Sequence, residues 1–278
     1  MRRPTQAGSF YAGTTESLTR QIEDCFTHSL GPGEKPILQG GPRNIVGLIC
    51  PHAGYAYSGP IAAHSYHRLA SDGKPDIIVI FGPNHTGQGC GLAATKGAWR
   101  TPLGDVSVDE DAVDRIVRKS DVIDIDESAH AYEHSIEVQL PFLQYLYSSS
   151  FTFVPISFLM QDFESSREVG QTVAEVLEGR DVLIIASTDM THYEPHEIAQ
   201  KKDKKALSAL ERLDEREFHS TIESECITAC GYGPVAALVS AVKLLGARKS
   251  QILCYRTSGD ITGDYAAVVG YVAVAFTR

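Results

Sequence analysis

The chain has 278 residues, 43% of them hydrophobic and 22% charged, a balance that fits a globular protein with a large core and excludes a disordered or fibrous one. Its 35 acidic against 25 basic residues give a net charge of −10, a field that repels phosphate backbones and anionic bilayers, so neither nucleic acid nor membrane is an expected partner. No run approaches the ~18 apolar residues of a membrane span, and MRRPTQAGSFYAG at the start lacks the apolar stretch of a secretory signal, so a cytoplasmic location is expected.

The first helix is expected over Thr15 to His28, followed by GPGEKPILQGGPRN, a loop dense in Gly and Pro that leads into a strand at Ile45 to Cys50. That strand is apolar throughout rather than alternating, which suits coverage on both faces. A helix over Pro60 to Ala70, with Gly59 and Pro60 at its start, precedes the strand Asp76 to Phe81. Next, GLAATKGAW and DVSVD flank RTPLG and read as a hairpin or a short strand pair leading into a helix at Glu110 to Lys119. Helices are further expected at Ser135 to Tyr147, Glu164 to Glu178, Pro195 to Arg212 and Pro234 to Leu245. Strands are expected at Thr152 to Ser157, Val182 to Ala186, Gln251 to Tyr255 and Ala267 to Phe276. This alternation predicts one domain, residues 1–278, built as a three-layer α/β/α sandwich with a largely parallel or mixed central sheet.

Three of the strands end in groups able to bind a metal: IVGLICPH in His52, DIIVIFGPNH in His85, and DVLIIASTDMTH in Asp189 and His192. In open α/β sheets ligands bind beyond the carboxyl ends of the strands, where the connecting loops diverge. Strands in register would therefore carry these four residues to one rim. Proline stiffens the exit from the strand and glycine allows a sharp turn, which gives His52 and His85 fixed directions suited to metal ligation or proton transfer. Asp189 and His192, three apart, can form an oriented couple, serve separately as acid and base, or belong to a helix cap.

AHAYEHSIEVQLPF spaces His130, His134 and Glu137 by four and three residues. On a helix they would share a face, although the HExxH order of zinc proteases is absent. His134 and Glu137 can edge the site or make structural hydrogen bonds, and His130 is expected in solvent. The six cysteines lack the paired short spacings of a disulfide framework or zinc ribbon. On spacing alone Cys230 is a core thiol, although a helix beginning after CGYGP would favour its thiolate. His64 and His67 are expected to stabilise a helix or face solvent, and Trp99, Tyr55 and Tyr57 to pack, with a pocket for an aromatic ligand as the alternative.

The runs AGSFY, PHAGYAYSG, FGPNH, TPLGD, EHSIEVQLPF, STDMTHY and CGYGP, in this order and spanning essentially the whole chain, resemble the MEMO family. The resemblance implies a fold related to the class III extradiol (LigB-type) ring-cleaving dioxygenases, which hold a non-haem iron at the strand-end rim. By the match of motifs the metal ligands fall on His52, His85 and Cys230. Asp189 and His192 match the acid and histidine beside the metal, and His134 matches another histidine lining the site. Fe(II) is the implied cofactor, with Cu or Zn as alternatives, because a thiolate in place of the dioxygenase carboxylate is softer and admits Cu(I), Zn or iron. The implied activity is that of a metal-dependent oxidoreductase. The alternatives are a phosphopeptide-binding adaptor using the same cleft and a zinc-type hydrolase. A small aromatic or peptide ligand, and AMMECR1-like or radical-SAM partner proteins, are likewise implied by the resemblance.

Overall fold

The computed structural model describes residues 1–278. In chain order its elements are α1 (Thr15–Thr27), β1 (Ile45–Cys50), α2 (Gly59–Ala70), β2 (Ile77–Pro83), β3 (Leu92–Ala94), β4 (Ala98–Thr101), β5 (Gly104–Val108), α3 (Glu110–Lys119), β6 (Asp124–Ile125) and α4 (Ser128–Ala131). They continue with a 3-10 turn (Glu137–Gln139), α5 (Leu140–Tyr147), β7 (Thr152–Phe158), α6 (Phe163–Val176), β8 (Val182–Ser187), β9 (His192–Glu194), α7 (His196–Glu211) and α8 (Glu215–Ser224). The last four are α9 (Tyr232–Leu244), β10 (Lys249–Thr257), α10 (Ser258–Thr262) and β11 (Val268–Thr277).

The sheet is mixed, with 11 strands and a main path β10-β11-β1-β8-β2-β7-β3-β6. Its middle is parallel, since β1 pairs with β8, β8 with β2, and β2 with β7 in one direction. Antiparallel pairs flank it, β11 on β1 and β3 on β7. Every residue of β1, β2 and β8 is buried, as strands covered on both faces must be. Helices α1, α2 and α5 pack together on one side, and α9, backed by α6 and α8, lies on β1, β2 and β8 on the other. The two layers and the sheet share one core that runs from Leu18 and Ile22 of α1 through Ile49, Ile80 and Ile184 to Val239 of α9.

Two sequence expectations change. The helix expected from Ser135 starts only at Leu140, preceded by a 3-10 turn at Glu137–Gln139. The N–H groups of His134 and Ser135 donate to the Glu133 carboxylate at 2.8 Å each instead of entering a helical ladder, and Pro141 sits in the first turn of α5, where a missing N–H costs nothing. The second change is α8, which the periodicity left unmarked. Asp214 caps it by accepting from the N–H of Glu217, so Asp214 followed three residues later by Glu217, with Phe218 and Ile222 four apart, was its available signal.

Candidate metal centre

β1, β8 and β2 lie side by side and end level with one another, and the site is built on their carboxyl ends. His52 follows β1 by two residues, His85 follows β2 by two, and Asp189 follows β8 by two, between them. The loop carrying His134 closes over the end of β2, where the position of Gly82 admits no side chain, since a Cβ there would come within 2.5 Å of Ser135 Oγ.

His52, His85 and His134 each offer a ring nitrogen within 4.8 Å of the other two. The rings of His85 and His134 stack at 4.6 Å, and His52 meets them edge-on at 5.2 and 5.4 Å. Their hydrogen bonds assign the tautomers. Ser187 Oγ donates its one proton to the Ser135 carbonyl at 2.7 Å, so the 2.9 Å contact from His52 Nδ1 must be an N–H donated to that oxygen. His85 Nδ1 lies 3.0 Å from Glu133 Oε1, and a carboxylate only accepts. In both His52 and His85, Nε2 is therefore the nitrogen left to face the site. Outer partners that fix a ring and its tautomer in this way are the usual support of a ligating histidine.

Electrostatics keep the lone pairs available. Burial, then the neighbouring imidazoles of His134, His85 and His192, hold His52 well below its ordinary pKa. Burial likewise lowers His134 to about 4, against the opposing pull of Glu133. Glu133 is itself buried, which raises its pKa, but the hydrogen bond and charge of His85, the charge of His134 and the Ser135 N–H outweigh this and bring it to about 2. An ionised carboxylate thus lies behind the facing rings of His85 and His134, while burial disfavours the charged form of His52 and His134. Nitrogen donors about 2.0–2.1 Å from a metal suit such a triplet, and imidazole serves iron, copper, zinc and nickel alike. The three residues fit a metal ion.

The structure gathers His134 into the donor group and places Cys230 beside it. Cys230 Sγ lies 3.1 Å from His52 Nε2, within reach for its S–H to donate to that lone pair, and accepts the Asp189 N–H at 3.2 Å. Burial, then the charge of Asp189, pushes the thiol up. Asp189 and His192 do not form a hydrogen-bonded couple, and neither caps a helix. Asp189 Oδ1 accepts the His52 backbone N–H at 2.9 Å, and burial raises its carboxyl to about 6. His192 stands at the start of β9, opposite Val269, with Nδ1 donating to the Thr228 carbonyl at 2.9 Å and Nε2 left over.

His130, expected in solvent, is buried in α4. Its Nε2–H donates to the Ala93 carbonyl at 2.9 Å, and its ring meets Trp99. Glu137 is buried as well and shares no helical face with the histidines. It collects Arg2 Nη1, the Thr5 and Gln6 N–H groups and the Tyr11 hydroxyl, the last at 2.6 Å. Sequence reasoning missed Glu133 and Ser187, the groups that orient the rings. Each stands next to or within a quoted motif, but neither residue type announces an outer partner.

Residues 2–275 match the family model described as Memo-like protein. A MEMO1 family protein of Methanopyrus kandleri is 51% identical, covering 100% of this chain and 99% of its own. Relatives of the same description from Methanothermobacter thermautotrophicus and Saccharolobus solfataricus are 48% and 47% identical, covering 98% and 99% of each chain. The crystal structure of an uncharacterized protein from Escherichia coli K12 is similar in fold, with a TM-score of 0.53 at 14% identity over 83% of this chain and 99% of that one.

Proposed function

The chain belongs to the Memo-like protein family, and from that premise we propose that it is a metal-dependent oxidoreductase related to the extradiol dioxygenases, working with one iron or copper ion at the strand-end rim. One observation carries the reading: three imidazoles converge, two of them with Nδ1 hydrogen-bonded on the outer side, beside a carboxylate whose Oδ2 lies 4.0 Å from His52 Nε2. A purely structural cluster has no use for lone pairs aimed at one point, where they repel. When bound, the ion supplies Lewis acidity and one-electron chemistry with dioxygen.

The chain's own groups then have separate tasks. His52, His85 and His134 hold the ion, and the Cys230 thiol beside His52 is a soft fourth donor once its proton leaves. Asp189, with a carboxyl raised to about 6, exchanges a proton at little cost near neutral pH. His192, whose Nε2 carries no other partner, acts as the second acid or base. Tyr57 and Tyr193 are exposed, and the phenol of Tyr271 is pushed up by burial and by the charges of Asp189, Tyr57 and Tyr193. Exposed phenol rings of this kind suit a small aromatic ligand or an aromatic side chain of a peptide.

Metal analysis of protein purified without oxygen, followed by oxygen uptake with a panel of catechols, tests the proposal. One equivalent of iron or copper with catechol-dependent uptake is expected. Zinc at full occupancy with no uptake under any loading would overturn the oxidoreductase reading in favour of hydrolysis.

A further inference from the structure

Glu133 does more than fill space behind the histidines. Its Oε2 accepts the His85 backbone N–H at 2.5 Å, and its Oε1 accepts from His85 Nδ1 at 3.0 Å and from the N–H groups of His134 and Ser135 at 2.8 Å each. The same Oε1 lies 3.3 Å from His134 Nδ1. One carboxylate, 1% exposed, therefore touches two of the three rings on the side away from the convergence point. Arg2 donates to the carbonyls of His130 and Glu133 and to the Glu137 carboxylate, not to the Glu133 carboxylate. The Glu133 carboxylate is thus held by N–H groups and by the two rings, with no direct Arg or Lys bridge.

We propose that Glu133 is the positioning residue of this centre, fixing His85 with Nε2 inward, and that its buried charge makes the site prefer a divalent over a monovalent ion. This rests on the metal-site reading above. The selectivity follows from Coulomb's law, since a fixed negative charge attracts a dipositive ion twice as strongly as a monopositive one at the same place. A carboxylate on the outer nitrogen also raises the donor strength of the ring. Glu133 consequently opposes the softness that Cys230 lends the site, and the balance between the two sets the preference between Cu(I) and a divalent ion.

The experiment uses the full chain with Co(II) and Cu(I) as probes, titrated anaerobically into wild type, Glu133→Gln and Glu133→Asp. Glu133→Gln should weaken Co(II) binding by ~10–100-fold, the usual range for an outer partner, and Cu(I) by about the square root of that factor, roughly 3–10-fold. Glu133→Asp, shorter but charged, should restore the wild-type ratio between the two ions even where both bind less tightly. Equal losses for the two ions in Glu133→Gln would reduce Glu133 to a structural role and overturn the proposal, as would no loss at all. Should Glu133→Gln fail to fold, the nitrogen shifts of His85 in metal-free wild type decide instead. A proton on Nδ1 supports the proposal, and a proton on Nε2 overturns it. Wild type binding neither ion at one equivalent would be the separate failure of the metal-site reading.

Discussion

The two ends of the parallel strands handle buried charge in opposite ways. At the amino ends of β1 and β8, Arg43 donates to Asp181 at 2.7 Å and to the Ile45 carbonyl at 2.6 Å, with Asp72 3.6 Å from its Nε. Asp72 in turn accepts the N–H groups of Asn44 and Ile45. Two carboxylates there share one guanidinium, so opposite charges stand in contact. At the carboxyl ends three imidazoles face one another and the anion stands behind them, an arrangement whose donors suit a cation. Opposites in contact tie the fold together, whereas like groups gathered around one point must be held there by the surrounding fold.

The largest effect should come from breaking the end where opposite charges are in contact. Arg43→Ala leaves Asp72 buried beside no cation, and removing one partner of a buried pair costs about 3–5 kcal/mol. Urea unfolding should show that loss while metal stoichiometry stays at the wild-type value. A variant that loses metal as well would show that the two ends are not independent.

Acid separates the ends next. Burial lowers His130 from 6.5 to about 4, with its bond to the Ala93 carbonyl opposing. A histidine depressed in the folded state is charged more readily in the unfolded chain, so the stability it contributes is present above pH 6.5 and is lost as pH falls toward 4. At about 1.4 kcal/mol per pH unit, roughly 3 kcal/mol disappears across that window. His134, also lowered to about 4, adds a similar loss in metal-free protein, and protons there compete with the ion. Unfolding free energy measured from pH 7 to 4 should fall along this course, and His130→Gln should reduce the slope by about one proton. An unchanged slope would mean that His130 stays neutral in both states.

The next comparison lies within the rim. His134→Ala should lower metal affinity beyond the ~10–100-fold of an outer partner, while Cys230→Ser should fall within that range. Elemental analysis after dialysis distinguishes them. The reverse order would make Cys230 the third donor, as the family resemblance implies.

That ambiguity reflects what a sequence can carry. The strands were legible because Ile45–Cys50 and Val182–Ser187 are apolar throughout, and their polar endings marked His52, His85 and Asp189 as sharing one rim. Distances across the rim were not legible, because they depend on the loop at 133–136. That loop's conformation is set by the Glu133 carboxylate capturing the N–H groups of His134 and Ser135, a contact that looks from the sequence like the start of a helix. His130 was misjudged for a related reason, since a four-residue helix has no periodicity to show that its histidine turns inward onto Trp99.

The smallest effect is the most local. Asp189 is raised to about 6 by burial, against the His52 N–H and the charges of His192 and His85, and its Oδ2 is 4.0 Å from His52 Nε2. A divalent ion on that nitrogen would stand close enough to favour the ionised carboxylate, and even well-screened attraction at such range should lower its pKa by ~1 unit or more. The carboxyl carbon signal of Asp189, followed by NMR, should therefore titrate near pH 6 in metal-free protein and clearly lower with Zn(II) bound. Asp189→Asn keeps an acceptor for the His52 N–H, so it should remove the titration while leaving metal affinity within about tenfold of wild type. A titration that Zn(II) does not move would put the ion beyond the reach of Asp189. The convergence of the three imidazoles would then need another cause.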